Sequence, residues 1–173
     1  SSNGVTDDIY MQRYDSDGNK VGSETRVNTT TSQDQDDPSI TVLNNGDYVI
    51  TWTSDGQDGS GNGIYMQRYD SDGNKLGVEA RVNSSITGDQ EDSTVIALAD
   101  GGFLVSWTHS VDGGPMDVFS QRYDADGNKL SGLNGDGTSN ILTWSGSNSV
   151  IIQGYDGDDQ LTGNSANDQL SGG

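Results

Sequence analysis

The chain has no cysteine, so it can form neither a disulfide nor a thiolate metal or nucleophile site. It has one histidine, His109, which leaves a single candidate for imidazole chemistry. Basic residues are scarce, 8 Lys and Arg against 27 Asp and Glu, for a net charge of −19. Nucleic acid and anionic membrane surfaces repel such a chain, so neither is expected as a partner. No apolar run reaches transmembrane length, so no membrane span is expected. Hydrophobic residues make up only 29%, too few for a thick core but compatible with thin sheets that have wide solvated edges. Only two prolines occur, against 25 glycines, which suits many tight turns between short strands. Glutamate is nearly missing too: Glu24, Glu79 and Glu91 are the only three among the acids. The rest are aspartates, many beside glycine, as in turns and in oxygen-rich loops that suit calcium. Self-repulsion at −19 opposes compaction unless cations neutralise part of it.

What is present is repetition. IYMQRYDSDGNK stands at Ile9–Lys20 and again at Ile64–Lys75, and returns as VFSQRYDADGNK at Val118–Lys129. The match extends beyond that phrase. Arg26-Val27-Asn28 recurs as Arg81-Val82-Asn83, Asp34–Asp37 as Asp89–Asp92, and Thr51-Trp52-Thr53 as Ser106-Trp107-Thr108. A period of about 55 residues denotes stacked or radial supersecondary units. Within one period Ser39–Leu43, Tyr48–Thr53, Ile64–Tyr69 and Lys75–Val82 read as strands. Gly- and Asp-rich turns separate them, the pattern of an antiparallel meander like a propeller blade. Tyr48, Ile50 and Trp52 alternate onto one face, as do Phe103, Val105 and Trp107.

The expected fold is therefore all-β: tandem four-stranded antiparallel meanders with a short β-roll-like C-terminal segment. Residues 1–131 hold a half unit (1–28), one unit (34–83) and most of another (89–131). Residues 132–149 read as a linker, in which Ile141–Trp144 is a candidate strand, and 150–173 as a tail. Too few units are present to close a propeller. The units are thus an excerpt, a small sandwich, or blades completed between chains. The opening Ser1–Gly4 aligns with Gly56–Gly59, so the array is expected to be cut within a repeat.

In the tail, GYDGDDQLT from Gly154 and GNSANDQLS from Gly163 are in register, with Asp159/Asp168 and Leu161/Leu170 nine residues apart. This resembles the hemolysin-type (RTX) calcium nonapeptide, G-G-x-G-x-D-x-U-x. Tyr155, Asn164 and Ala166 depart from its glycine positions. The resemblance implies calcium held by Asp156, Asp158, Asp159 and Asp168. The longer repeat, with text such as WTSDGQDGSGNGIYMQRYDSDGNKLG at Trp52–Gly77, resembles arrays in large secreted bacterial proteins that end in such nonapeptides. It implies an extracellular or cell-surface location and an adhesive or matrix role.

Three D-x-D-G-N turns can be read in two ways: Asp15, Asp17 and Asn19; Asp70, Asp72 and Asn74; Asp124, Asp126 and Asn128. They are either openings of calcium loops or hairpin turns in which Asp-Gly supplies a positive φ. The EF-hand pattern is not met, because no glutamate closes the loop. Asp34–Asp37, Asp55–Asp58 and Asp89–Asp92 divide between the same readings. The arginines recur at fixed repeat positions, so structural pairing is expected, for instance Arg26 with Glu24 or a cross-strand carboxylate. The Tyr10-Gln12-Tyr14 stripe and its copies are expected to pack as a sheet face.

No enzyme is expected. His109 takes the repeat position of Ser54, and no G-x-S-x-G elbow surrounds a serine. The expected function is a calcium-dependent extracellular structural or adhesive module with Ca2+ as its ligand. Self-association through the incomplete end units and a glycan or surface-protein ligand are its candidate partnerships. The alternative is a carbohydrate-binding accessory region of a secreted polysaccharide-degrading enzyme, for which Trp144 is the residue to inspect.

Overall fold

A computed structural model describes residues 6–111 and 114–130, together with the backbone of five short strands beyond them. Every regular element among the described residues is a strand, as the alternation and turn spacing require. β1 (Tyr10–Tyr14) and β2 (Lys20–Arg26) form an antiparallel hairpin. β3 (Gln35–Val42), β4 (Tyr48–Asp55), β5 (Asn62–Tyr69) and β6 (Lys75–Arg81) form a four-stranded antiparallel meander in chain order. β7 (Asp89–Ala97), β8 (Phe103–Ser110), β9 (Asp117–Tyr123) and β10 (Lys129–Leu130) repeat that order. The strands expected from sequence are all present, β3 beginning earlier at Gln35 and β4 running on to Asp55.

The meanders pack face to face. On one side of the β3–β6 sheet, Tyr48, Ile50, Trp52, Tyr65 and Tyr69 form a buried cluster with Ile9 and Val27 of the preceding half unit, and Met11 packs against it. Tyr48 and Tyr69, paired across β4 and β5, stack with ring centroids 5.0 Å apart. On the other side β7 lies against β3, β4 and β5, and Ser93 Oγ donates to Thr51 Oγ1 at 2.9 Å. As a result β4 is buried on both faces, including Val49 and Thr51. Trp52 and Trp107 are both buried, and so are Phe103 and Val105, which confirms the repeat register. The tyrosine stripe divides: Tyr65 and Tyr69 are buried, whereas Tyr10 and Tyr14 are more than half exposed. A sheet face is enclosed only where a neighbouring meander lies on it.

Because apolar residues are few, buried amides complete the core. Gln35 Oε1 accepts the Trp52 indole N–H at 3.2 Å, with both residues enclosed. Asn28 Oδ1 and Asn83 Oδ1 accept the N–H of Ile9 and Ile64, each at 2.8 Å, and so tie the end of each unit to the start of its third strand. Gln12 and Gln67 project where the β1–β2 and β5–β6 registers slip, and their amides donate to the bulged carbonyls. β3 and β7 carry matching slips, with Asp37 and Asp92 in the left-handed region at φ 48° and 55°.

The chain divides into two compact units: residues 1–121 with 125–127, and residues 122–124 with 128–173. In the second, β11 (Gly132–Asn134), β13 (Ile151–Gln153) and β15 (Gln169–Ser171) form a parallel sheet. β12 (Ile141–Thr143) and β14 (Gln160–Thr162) form a parallel pair. Successive strands thus alternate between two parallel ladders, and the stretch read as a linker contributes β11 and β12.

Replacing Gln35 by Leu removes the acceptor of a buried indole donor. Gln35→Leu is expected to cost about 1–3 kcal/mol of stability. Urea unfolding followed by tryptophan fluorescence measures it, and Gln33→Leu, at an exposed neighbour, serves as the control.

Candidate functional site

Two features of the repeats organise candidate sites: the D-x-D-G-N turns and an aromatic pocket. In each turn the first aspartate bends the chain over itself. Asp15 Oδ1 accepts the backbone N–H groups of Asp17 at 3.0 Å and Asn19 at 2.8 Å, and Oδ2 accepts the Asn19 amide at 3.1 Å. Asp70 repeats this with Asp72 and Asn74. Asp124 takes the same two bonds from Asn128. Hydrogen bonds from the backbone and side chain of Asn19 hold the Asp15 carboxyl below its ordinary value. Those from the side chain and backbone of Asn74 do the same for Asp70. The side chains of Asp17, Asp72 and Asp126 are exposed. The turns are therefore braced by their own N–H donors in hairpin geometry, and each Oδ2, which accepts one bond, keeps a further lone pair.

The arginines meet the expected pairing with carboxylates in part. Arg26 pairs with Asp8 at 3.6 Å rather than with Glu24, and Arg81 pairs with Asp58 at 3.7 Å. Arg13 and Arg68 bind carbonyls instead of carboxylates, one repeat farther along the chain. The Arg13 guanidinium donates to Ser71 O at 2.7 Å and to Asp72 O. That of Arg68 donates to Ala125 O at 2.6 Å and to Asp126 O. The planar fork thus straddles the D-x-D-G-N turn of the next unit. Gly73 and Gly127 make room for it: at φ 93° and 83°, a Cβ on either would lie within 2.7 Å of an arginine Nη1. Lys75 Nζ reaches back to Val27 O at 2.9 Å, and Glu79 accepts from Thr29 N and Oγ1. Sequence reasoning saw the arginine periodicity but not its partner, which lies 57–59 residues away.

The acidic clusters concentrate charge without converging on a point. Among the described residues no group of three or more Asp, Glu, His or Cys is arranged to hold a metal ion. Asp36 titrates above its ordinary value, through desolvation first and then the charges of Asp37, Asp34, Glu91 and Asp7. Asp89 Oδ1 instead accepts Asn62 N at 3.0 Å, and Glu91 Oε1 accepts the Asn62 amide. Asp156, Asp158, Asp159, Asp168 and Trp144 lie outside the described residues.

The pocket, a cavity of about 310 Å³, lies between the Asn83–Ser85 turn and the sheet of the third repeat. Trp107 and Phe119 stack with centroids 6.4 Å apart, and His109 meets Phe119 edge-on at 5.2 Å. His109 Nε2 lies 2.9 Å from Thr87 O. Since a carbonyl only accepts, Nε2 carries the proton. Neither the pocket nor this role of His109 was apparent from the sequence. The one available signal was the replacement of the repeat residues Ser54 and Met66 by His109 and Ser120.

No family model matches the chain, and no curated protein matches it significantly. Among solved structures it is similar to an endo-arabinase from Bacteroides thetaiotaomicron VPI-5482, at 20% identity and a TM-score of 0.42. The match covers 65% of this chain and 45% of that one, so the chain spans under half the length of that protein. A likeness of this depth carries no argument about activity.

Two outcomes are expected here. Arg68→Ala and Arg68→Lys should each lower stability by about 1–2 kcal/mol, since a lysine cannot span two carbonyls. Denaturant unfolding measures both, and full retention of stability by the lysine variant would remove the fork from the account. Asp36→Asn should raise the melting temperature at pH 7. A raised folded-state pKa means that the charged form costs stability at neutral pH, and that this cost fades as pH falls through the raised value. Melts from pH 7 to 3 should therefore show the advantage of the variant shrinking to nothing below the ordinary carboxylate value of 3.8.

Proposed function

We propose that this chain is a non-catalytic, calcium-dependent structural or adhesive repeat module of a secreted bacterial protein, acting outside the cell or at its surface. The observation that carries the structural role is the arginine fork. It recurs at Arg13 and Arg68, joins each unit to the next through backbone rather than side-chain chemistry, and makes the array a continuous stack. Two sequence features support calcium dependence: the −19 charge, which cations would relieve, and the nine-residue period that resembles hemolysin-type repeats. The acids around Asp36, second to its burial in raising that carboxyl, are charges that a cation would relieve. A second reading, a carbohydrate-binding accessory region of a secreted polysaccharide-degrading enzyme, draws on the aromatic pocket.

Thermal melts in chelator, in millimolar calcium and in magnesium at matched ionic strength test the first reading. Calcium at a hundredfold excess over one site's dissociation constant should add roughly 3 kcal/mol, a shift of several degrees. A melting temperature equal in chelator and calcium, or raised equally by magnesium, would overturn calcium dependence. The fork would stand unaffected.

A further inference from the structure

We infer that the pocket between the second and third repeats is a binding site for one neutral sugar ring of a glycan. This inference rests on the second reading above and is independent of calcium dependence. Its first ground is a break in repeat equivalence. In the second repeat the corresponding residues are bonded and enclosed. Ser54 Oγ donates to Gln57 Oε1 at 2.7 Å, Gln57 Nε2 donates to Glu79 Oε1 at 2.6 Å, and Tyr65 is 7% exposed. In the third repeat His109 replaces Ser54 and turns to Thr87 O, while Phe119, the counterpart of Tyr65, is 46% exposed. A buried repeat position has become an open aromatic wall, formed by Phe119 stacked on Trp107 with His109 at its edge.

The second ground is the chemistry of the lining. In a chain of net charge −19, none of the described residues that line this pocket is Asp, Glu, Lys or Arg. Beneath the aromatics a layer of bonded amides is held in place. Asn83 Oδ1 accepts Ile64 N, and its amide donates to Ser85 O at 2.7 Å and Gln90 Oε1 at 2.6 Å. Gln90 Nε2 in turn donates to Thr87 O at 3.0 Å. These bonds fix the amides, and with Asn83 and Gln90 each 1% exposed they form a rigid floor beneath the site rather than its contact surface. The Ser84 and Ser120 hydroxyls add groups that both donate and accept. An exposed aromatic face edged by the Ser84 and Ser120 hydroxyls suits a ligand with one apolar face and a rim of neutral hydroxyls. A pyranose or furanose ring has that form. The volume, at the lower end for ligand pockets, limits the occupant to about one ring.

The test titrates the chain with soluble neutral oligosaccharides of pentoses and hexoses, followed by ligand-observed NMR and by tryptophan emission, in calcium and in chelator. At least one series should bind saturably. Phe119→Ala should weaken it roughly tenfold or more through lost stacking, and Phe119→Tyr should preserve it. His109→Ser, which restores the residue of the second repeat, should also weaken it. Circular dichroism melts confirm that each variant is folded, as the exposure of Phe119 leads one to expect. The inference is overturned if no neutral oligosaccharide binds, or if binding survives both Phe119→Ala and His109→Ser unchanged. It is overturned equally if indole or benzyl compounds bind where sugars do not. A protein stabilised by calcium that binds no sugar would refute this inference alone.

Discussion

A four-stranded meander has two faces and cannot enclose either one by itself. Everything else in the repeat region depends on that constraint. The β3–β6 sheet is buried on both sides because Ile9 and Val27 cover one face and β7 the other. Where a face lacks such a neighbour, the same residue types are exposed, as Tyr10 and Tyr14 show against Tyr65 and Tyr69. Stability in such an array resides in the junctions between units as much as within them.

The junctions add polar contacts to that apolar cluster, which reconciles close packing with a chain so poor in hydrophobic residues. Thr51 meets Ser93, Glu79 holds Thr29, and the arginine forks lie across backbone turns. Inside each sheet, amides of Gln and Asn serve where a richer sequence would use aliphatic packing. The Gln35–Trp52 bond and the Asn28 and Asn83 ties are examples. Such groups are costly to bury without partners, so each one present in the core fixes a single register.

The fold was legible from the sequence because repetition and alternation are local signals. Trp52 and Trp107 announce their faces through the residues two and four places before them, and Asp-Gly turns mark the strand ends. The arginine partners were not legible. A fork from Arg68 onto Ala125 and Asp126 binds carbonyls, which every residue has, so no side-chain pattern betrays it. The pocket was hidden for a related reason. It arises from what is lost at Ser54 and Met66 as much as from what is gained, and Phe119 reads as an ordinary member of the tyrosine stripe. The turns kept both readings open because one arrangement of aspartates serves an Asx turn and a cation loop alike. The N–H donors on Asp15, Asp70 and Asp124 form the Asx turn and leave lone pairs on the carboxylates.

The forks also give the stack a polarity. Arg13 and Arg68 each reach forward along the chain, onto a turn whose glycine leaves no space for a side chain beside the guanidinium. The two sides of a junction are therefore unlike, a plug on one unit and a socket on the next. A contact of this kind has no two-fold symmetry and cannot satisfy itself by pairing two identical faces. Units joined in this way line up in one order only, and reversing a single unit would set plug against plug and socket against socket.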